Sequence, residues 1–471
     1  MGEVTASEES TNKECALAND DDDDAAAWQS SLANSRACTL RNFIYMSLLF
    51  SAVPATALAC LSLAVSRFGT VLGAWQSGIL YLTYTVSAIS GISPYVVTKI
   101  GSRNSLITGM TLYCSYVACF WLAAVVAGRH PNTATAAETE NEIPLAKLCL
   151  ALFGATVGGT GAGIMWTAQG VYFSQAAEEY SLLGSQLLLG SSSIQEGGGN
   201  SNVDWEESTS RLAGIFAFIL LVEETTCDLS SSFLIRSFGL HWSVVFALYA
   251  IVAVLATLGM LRVHKYPSSS TSTISSIHGH DENDREENSS FVALTSAVRL
   301  LWSDPKMKYM IGLNASFGFA GAFLNSFVSG EVVPIALDDP ESSFVGVYVA
   351  VHGATAAISS LCFGKLASYT GKGPILVLGA LCFGSVALPF LVQPNLDQWS
   401  WRLLTLVYAL EGIGRATFEG TLKATFADYF SHEKEGAFSN IILQNGLASV
   451  VAYVLSFRLT CDQQVCLDYL S

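Results

Sequence analysis

Eleven stretches of this chain are each about 20 residues or longer and mostly apolar, the length an α-helix needs to cross the hydrocarbon core of a bilayer. They fall at residues 42–66, 74–98, 105–127, 147–172, 211–235, 241–262, 308–329, 344–368, 373–392, 402–424 and 437–457. In lipid every backbone N–H and C=O must be paired within its own segment, so continuous apolar runs of this length are helices. The expected fold class is all-α, a polytopic, multi-pass integral membrane protein whose first partner is the lipid bilayer. Composition agrees: 51% of the residues are hydrophobic and 13% charged, against about 25% charged in an average soluble domain. The net charge of −16 does not make the chain a nucleic-acid mimic, and no nucleic-acid partner is expected. Its acids gather in runs such as Asp20–Asp24 and Asp281–Glu287, which read as solvated tails and loops.

The polar stretch between the sixth and seventh spans, with its core SSSTSTISSIHGHDENDREENSS, divides the chain into six helices plus five. The expected organisation is an acidic disordered tail (1–41), a six-helix bundle (42–262), a flexible linker (263–306), a five-helix bundle (307–458) and a short tail (459–471). The link at 173–210 is rich in Gly and Ser and reads as disordered, with Leu182–Leu189 able to rest on the membrane surface. Lys and Arg set the orientation. With the N-terminus in the cytoplasm, 16 of the 23 lie on the cytoplasmic side, 6 outside, and Arg415 lies within a span; this is the positive-inside pattern. Asn288 of the sequon Asn-Ser-Ser then faces the cytoplasm and is expected to stay unglycosylated. Nothing in the sequence selects the plasma membrane over an internal one. The 11 cysteines show no zinc spacing, and Cys461 and Cys466 read equally as a disulfide or as two thiols. There is no phosphate-binding Gly-Lys loop, no G-x-S-x-G and no HExxH, so no enzyme, metal or cofactor is expected.

Two links repeat a motif. GKLASYTGKG, Gly364 to Gly373, joins the eighth and ninth spans; PYVVTKIGSR, Pro94 to Arg103, joins the second and third. The first resembles the loop of the major facilitator superfamily, G-x-L-A-D-R-x-G-R-K. Gly364, Leu366, Ala367, Gly371 and Lys372 match it, while Ser368 and Tyr369 replace the Asp and Arg. In the second, Lys99, Gly101 and Arg103 fit, whereas Pro94 and Thr98 depart. A tight turn needs Gly, and basic residues there set topology and can meet helix C-termini. In the fourth span GGTGAGIMWTAQGVY, with Gly161, Gly163, Trp166, Thr167, Gln169, Gly170 and Tyr172, resembles the fourth-helix signature of that superfamily's Unc-ninety-three-like family. Leu301 to Glu331 resembles that family's entry into its seventh helix. The resemblance implies two bundles facing a central cavity. It implies either a transporter of an ion or small solute or a non-transporting regulator of an ion channel (potassium-channel class) or chaperone of a receptor, with another membrane protein such as a channel subunit as partner. The family's twelfth helix has no counterpart here. After Phe457 only RLTCDQQVCLDYLS follows, which leaves truncation or an outward-facing C-terminus.

Charges inside a membrane cost about 2.5–3.5 kcal/mol each on insertion scales, so the tenth span stands out. In LEGIGRATFEGTLK, Glu411, Arg415, Glu419 and Lys423 recur every four residues, on one helix face. Either Glu411–Arg415 and Arg415–Glu419 neutralise each other and pin the helix to a neighbour, with Lys423 snorkelling to the interface, or Glu411 or Glu419 faces the cavity and couples transport to a cation or proton. The fifth span carries Glu223, Glu224 and Asp228 without a local basic partner, and Arg415 could reach one of them. Close acids in low dielectric do not both ionise, which is one way to build a proton or cation site. Gly154, Gly158, Gly159 and Gly163 suit close helix packing. Trp166 and Tyr172 read as interface anchors, and Gln169 as a residue that lines a path or packs. Asn314, Ser316, Asn325 and Ser326 read as a polar stripe in the seventh span.

Overall fold

A computed structural model describes residues 21–68, 70–128, 145–191, 201–267, 295–339 and 344–468. Every expected span lies largely on helix, with breaks at Ser90–Gly91 and Ala387. The first half comprises α1 (Asp21–Phe68), α2 (Thr70–Ile89), α3 (Ile92–Ile100), α4 (Ser102–Gly128), α5 (Leu145–Ser191), α6 (Ser201–Phe238) and α7 (Trp242–Gly259). The second half follows a short helical stretch at 295–303. It comprises α8 (Pro305–Phe323), which runs on as a π-helix (Leu324–Val332) into α9 (Val333–Leu337), then α10 (Val345–Thr370), α11 (Gly373–Val386) and α12 (Leu388–Val392). Last come α13 (Trp401–Ala416), a second π-helix (Thr417–Leu422), α14 (Lys423–Tyr429) and α15 (Lys434–Asp468).

Among the described residues, eight helices are long and apolar enough to cross a membrane, or nine if α2 and α3, bent by 61°, form one span. The expected eleven is not reached on that measure. The helices that fall short, α6 and the α13–α14 run, are the two that carry the charge clusters. Local chemistry explains the breaks. Gly91, at φ 75°, turns the chain between α2 and α3, a conformation that costs glycine little. The Asp304 side chain accepts from the Lys306 N–H at 2.8 Å, with Pro305 opening α8.

Three expected boundaries move. Residues 21–41 belong to α1, because Leu32 and Thr39 are buried and the Arg36 guanidinium stacks 4.2 Å over the Tyr180 ring of α5. The loop expected at 173–210 is largely helix. Phe173, Ala176, Ala177 and Tyr180 are buried, an i, i+3, i+4, i+7 stripe that prolongs α5 to Ser191. The tail expected at 459–471 is helical through Asp468. Residues 1–20, most of the linker with Asn288, and the side chains of Cys461 and Cys466 lie outside the described residues.

Glycines decide how close the helices come. On α5, Gly154, Gly158 and Gly161 face Cys119, Tyr116 and Leu112 of α4. Gly159 and Gly163 face Thr83 and Ser87 of α2. A Cβ at any of them would sit closer than contact distance to its neighbour, so α5 is clamped between two helices by two small-residue stripes. The halves meet along two lines. On one, α6 packs on α10: a Cβ on Gly214 or Gly364 would lie 3.0–3.1 Å from the other glycine's Cα, and Ala217, Leu221, Ala356 and Ala357 bury one another. On the other, α15 packs on α2, with the Tyr81 and Tyr453 rings 5.6 Å apart.

Candidate functional site

The charge ladder of α13–α14 finds partners in three places: the other half, a neighbouring helix of its own half, and itself. Arg415 donates from Nη2 to Glu224 Oε2 of α6, across the boundary between the halves. Glu411, 1% exposed, meets His352 Nε2 of α10. That contact is an ion pair when the imidazole carries its second proton. Lys423 donates to Glu419 Oε2 at 2.6 Å, a pairing along the ladder that was not among those expected. Glu411–Arg415 and Arg415–Glu419 do not pair, because partners from α6 and α10 compete for the same groups. Lys423 does not snorkel. It is 6% exposed, and its Nζ lies 4.2 Å from the Trp166 ring centroid and 5.1 Å from that of Phe216. A desolvated cation over an aromatic face is stabilised by about 2 kcal/mol, which offsets part of the cost of burying the ammonium.

Of the fifth-span acids, Glu224 takes Arg415. Glu223 and Asp228 are partly buried and form no ion pair among the described residues. Gln169 is buried in α5, one turn from Trp166, and its Oε1 accepts no hydrogen bond. Asn314 is fully buried and donates to Gln444 Oε1 of α15 at 2.6 Å. The stripe expected around it does not form: Ser316 and Asn325 are exposed, and the Ser326 hydroxyl bonds back to Ala322.

The rest of the fourth-helix signature is structural. The Thr167 hydroxyl bonds back to the Gly163 carbonyl at 2.9 Å. Gly170 lets the Phe438 ring of α15 reach the α5 backbone. Tyr172 is no interface anchor. Its hydroxyl accepts from Asn42 Nδ2 at 2.7 Å and donates to the His264 carbonyl at 3.1 Å, while the His264 N–H returns to Asn42 Oδ1 at 2.9 Å. That ring ties α1, α5 and the chain leaving α7.

The repeated links share a backbone conformation. Gly101 (φ 81°, ψ 160°) and Gly371 (φ 76°, ψ 172°) each end a helix, and their N–H groups bond Val97 and Ala367. Their basic residues differ in use. Arg103 caps the Leu261 carbonyl, and Lys99 is exposed. Lys372 is nearly buried between Asp428 Oδ2 and Thr209 Oγ1, the latter at 2.8 Å, and Thr209 donates to Asp428 Oδ1 at 2.9 Å. Thr209 belongs to α6, so this triad also joins the halves. Burial lowers the Lys372 amine and raises the Asp428 carboxyl from their ordinary values, while each group's charge favours the other's ionised form. A further inter-half pair, Lys434–Glu178 at 2.7 Å, lies at the same end. An open groove of about 770 Å³, lined by Ile335, Asp338, Asp397, Trp399 and Arg402 among others, includes none of these charges.

Sequence reasoning missed His352, Thr209, Asp428 and Phe216. Nothing local marks the last three, since each acts on a group far away in the chain. His352 alone carried a signal, as an imidazole inside an apolar span.

The geometry of two helical bundles matches known architecture. The crystal structure of the human organic anion transporter MFSD10 (TETRAN) superposes with a TM-score of 0.54 at 11% identity, over 88% of this chain and 92% of that one. The Major Facilitator Superfamily profile matches residues 229–452. Over that stretch, a little under half of the chain, the protein is similar to the major facilitator superfamily. Its curated relatives include Protein unc-93 homolog A from Mus musculus, 29% identical over 155 residues, or 33% of each chain. The Homo sapiens homolog is 29% identical over 160 residues, or 34% of each, and the Danio rerio homolog 29% over 170 residues, or 36% of each. The matched stretch spans about a third of the length of these relatives. The chain is thus a multi-pass membrane protein with Unc-93-like similarity over about a third of its length, in which buried charges converge where its halves meet.

Proposed function

We propose that this chain moves an ion or small solute across a membrane by alternating access, with its N-terminus in the cytoplasm and its transport coupled to protons or another cation. The observation that carries this reading is the Arg415–Glu224 pair, a buried charge contact made across the boundary between the halves. A buried ion pair stabilises little compared with apolar packing and costs much when broken, so it earns its place where a rearrangement makes and remakes it. In rocking-bundle transporters the halves swing about a site near the midplane, and a pair from α6 to α13 is remade in each cycle. Glu411 with His352, and the partly buried Glu223 and Asp228, are the groups available to take up a proton or cation. The triad at Lys372 and the Lys434–Glu178 pair hold the basic-loop end together, which suits a state open toward the other side.

The test is ion flux in proteoliposomes under imposed potassium and proton gradients, comparing wild type with Glu224→Gln and Glu411→Gln. Flux above empty liposomes that both substitutions abolish supports coupled transport through these acids. Absence of flux from protein shown to be folded would overturn transport and point to a role in binding another membrane protein.

A further inference from the structure

We propose that the first half carries a binding site for an organic ammonium ion, and that Lys423 of the second half occupies that site in this conformation. The walls come from three helices of the first half. The Trp166 and Phe216 rings stand at 88° to each other with centroids 6.5 Å apart, forming a corner. Phe50 braces both, at 4.9 Å from Trp166 and 5.6 Å from Phe216. Phe50 and Phe216 are fully buried, so the corner is built into the core of that half. The cation lying over both faces belongs to α14, and its counter-ion, Glu419, comes with it from the preceding turn. A leucine would fill such a corner at no electrostatic cost; two perpendicular ring faces recognise an ammonium group.

The surroundings favour cations too. Glu223, Glu224, Asp228, Glu411 and Glu419 outnumber Arg415, Lys423 and His352 in the helices that meet here. Walls and lysine sit on opposite halves. Any motion that draws α14 away from α5 and α6 empties the corner, and a compact, weakly hydrated ammonium then replaces the lysine. The ligand class is an alkylated ammonium, because methyl groups spread the charge over the rings and shed water readily. The occupancy of the site thus depends on the moving halves of the proposed transporter, but binding itself is measurable without transport.

The experiment uses the full chain in detergent with tetramethylammonium chloride, against sodium chloride at equal ionic strength. Lys423→Ala empties the corner. Tetramethylammonium is expected to raise its melting temperature by several degrees over sodium, to raise the wild type's by much less, and to leave Lys423→Ala/Trp166→Leu unchanged. A second readout needs no variant. In the wild type, tetramethylammonium displaces Lys423 and speeds its acylation by an amine reagent several-fold, followed by mass spectrometry. Folded Lys423→Ala that answers tetramethylammonium no differently from sodium overturns the proposal. If that variant does not fold, an unchanged acylation rate in the wild type overturns it. Failed flux with intact ammonium binding would remove the transport reading and leave this site standing.

Discussion

Arg415 reaches Glu224 from within the helical bundle, and both side chains are largely covered, at 20% and 7% exposure. Lys434 reaches Glu178 at the basic-loop end, where the glutamate is 56% exposed. Both contacts join the first half to the second, and both look alike as distances. Their surroundings make them different objects. Around the first pair there is little solvent to take over when a partner leaves, so the remaining charge is stranded. Around the second, water solvates whichever charge remains. The Lys372–Thr209–Asp428 triad resembles the first pair, with 9% exposure on each charged side chain. Burial rather than separation therefore decides which contact controls the relation between the halves.

The sharpest way to break the comparison is Arg415→Leu. Removing one partner of a buried pair costs about 3–5 kcal/mol, so melting in detergent should drop steeply. Arg415→Leu/Glu224→Gln should recover most of the loss; if single and double variants melt alike, the pair does not couple the halves. A smaller effect is expected at His352. His352→Ala leaves Glu411 without its partner, and an unmatched buried group costs about 1–3 kcal/mol. Glu411→Gln/His352→Ala should be milder than His352→Ala alone by the same melting assay.

The triad sharpens the comparison through pH. The Asp428 carboxyl is held above its ordinary value by burial, against the pull of Lys372. The folded state therefore keeps a proton there that the unfolded chain has already released. That contribution is full below the ordinary carboxylate pKa and fades as pH rises through the raised one. The melting temperature of wild type relative to Asp428→Asn should fall over that interval; a flat difference would mean that the carboxyl is not displaced. Lys372 runs the other way: its lowered value makes its contribution full at high pH and lost on acidification through that value. The smallest effect belongs to Lys434→Ala, about 0–1 kcal/mol and fading in high salt. A loss as large as that of Arg415→Leu would overturn the distinction drawn here.

The all-helical membrane fold was legible because apolar length is a local property, and Gly101 and Gly371 announced matching turns. The candidate site was legible only in part. The ladder from Glu411 to Lys423 was visible as an anomaly, and Arg415 was foreseen as a partner for the fifth-span acids. Which acid it takes depends on how α6 lies against α13, and helix packing is not written in any one segment. Lys423 shows the gap most clearly. Its place after an apolar run suggested a side chain stretching to the interface, while the rings that hold it come from residues 166 and 216, on helices of the other half. The helical extension to Ser191 was hidden by glycines and serines that dominate composition, although the buried stripe from Phe173 to Tyr180 kept helical spacing.

The π-helix at Thr417–Leu422 bears on the ladder in a way that spacing alone conceals. On an α-helix every fourth residue overshoots a full turn by about 40°. Three such steps would carry Lys423 about 120° around the axis from Glu411, toward a different neighbour. The i→i+5 bonding of a π-helix makes a wider turn with less rotation per residue, and so takes back part of that drift. It acts as a phase correction: the helix gives up regular hydrogen bonding over one turn, and in return Glu419 and Lys423 drift less from the face that carries Arg415.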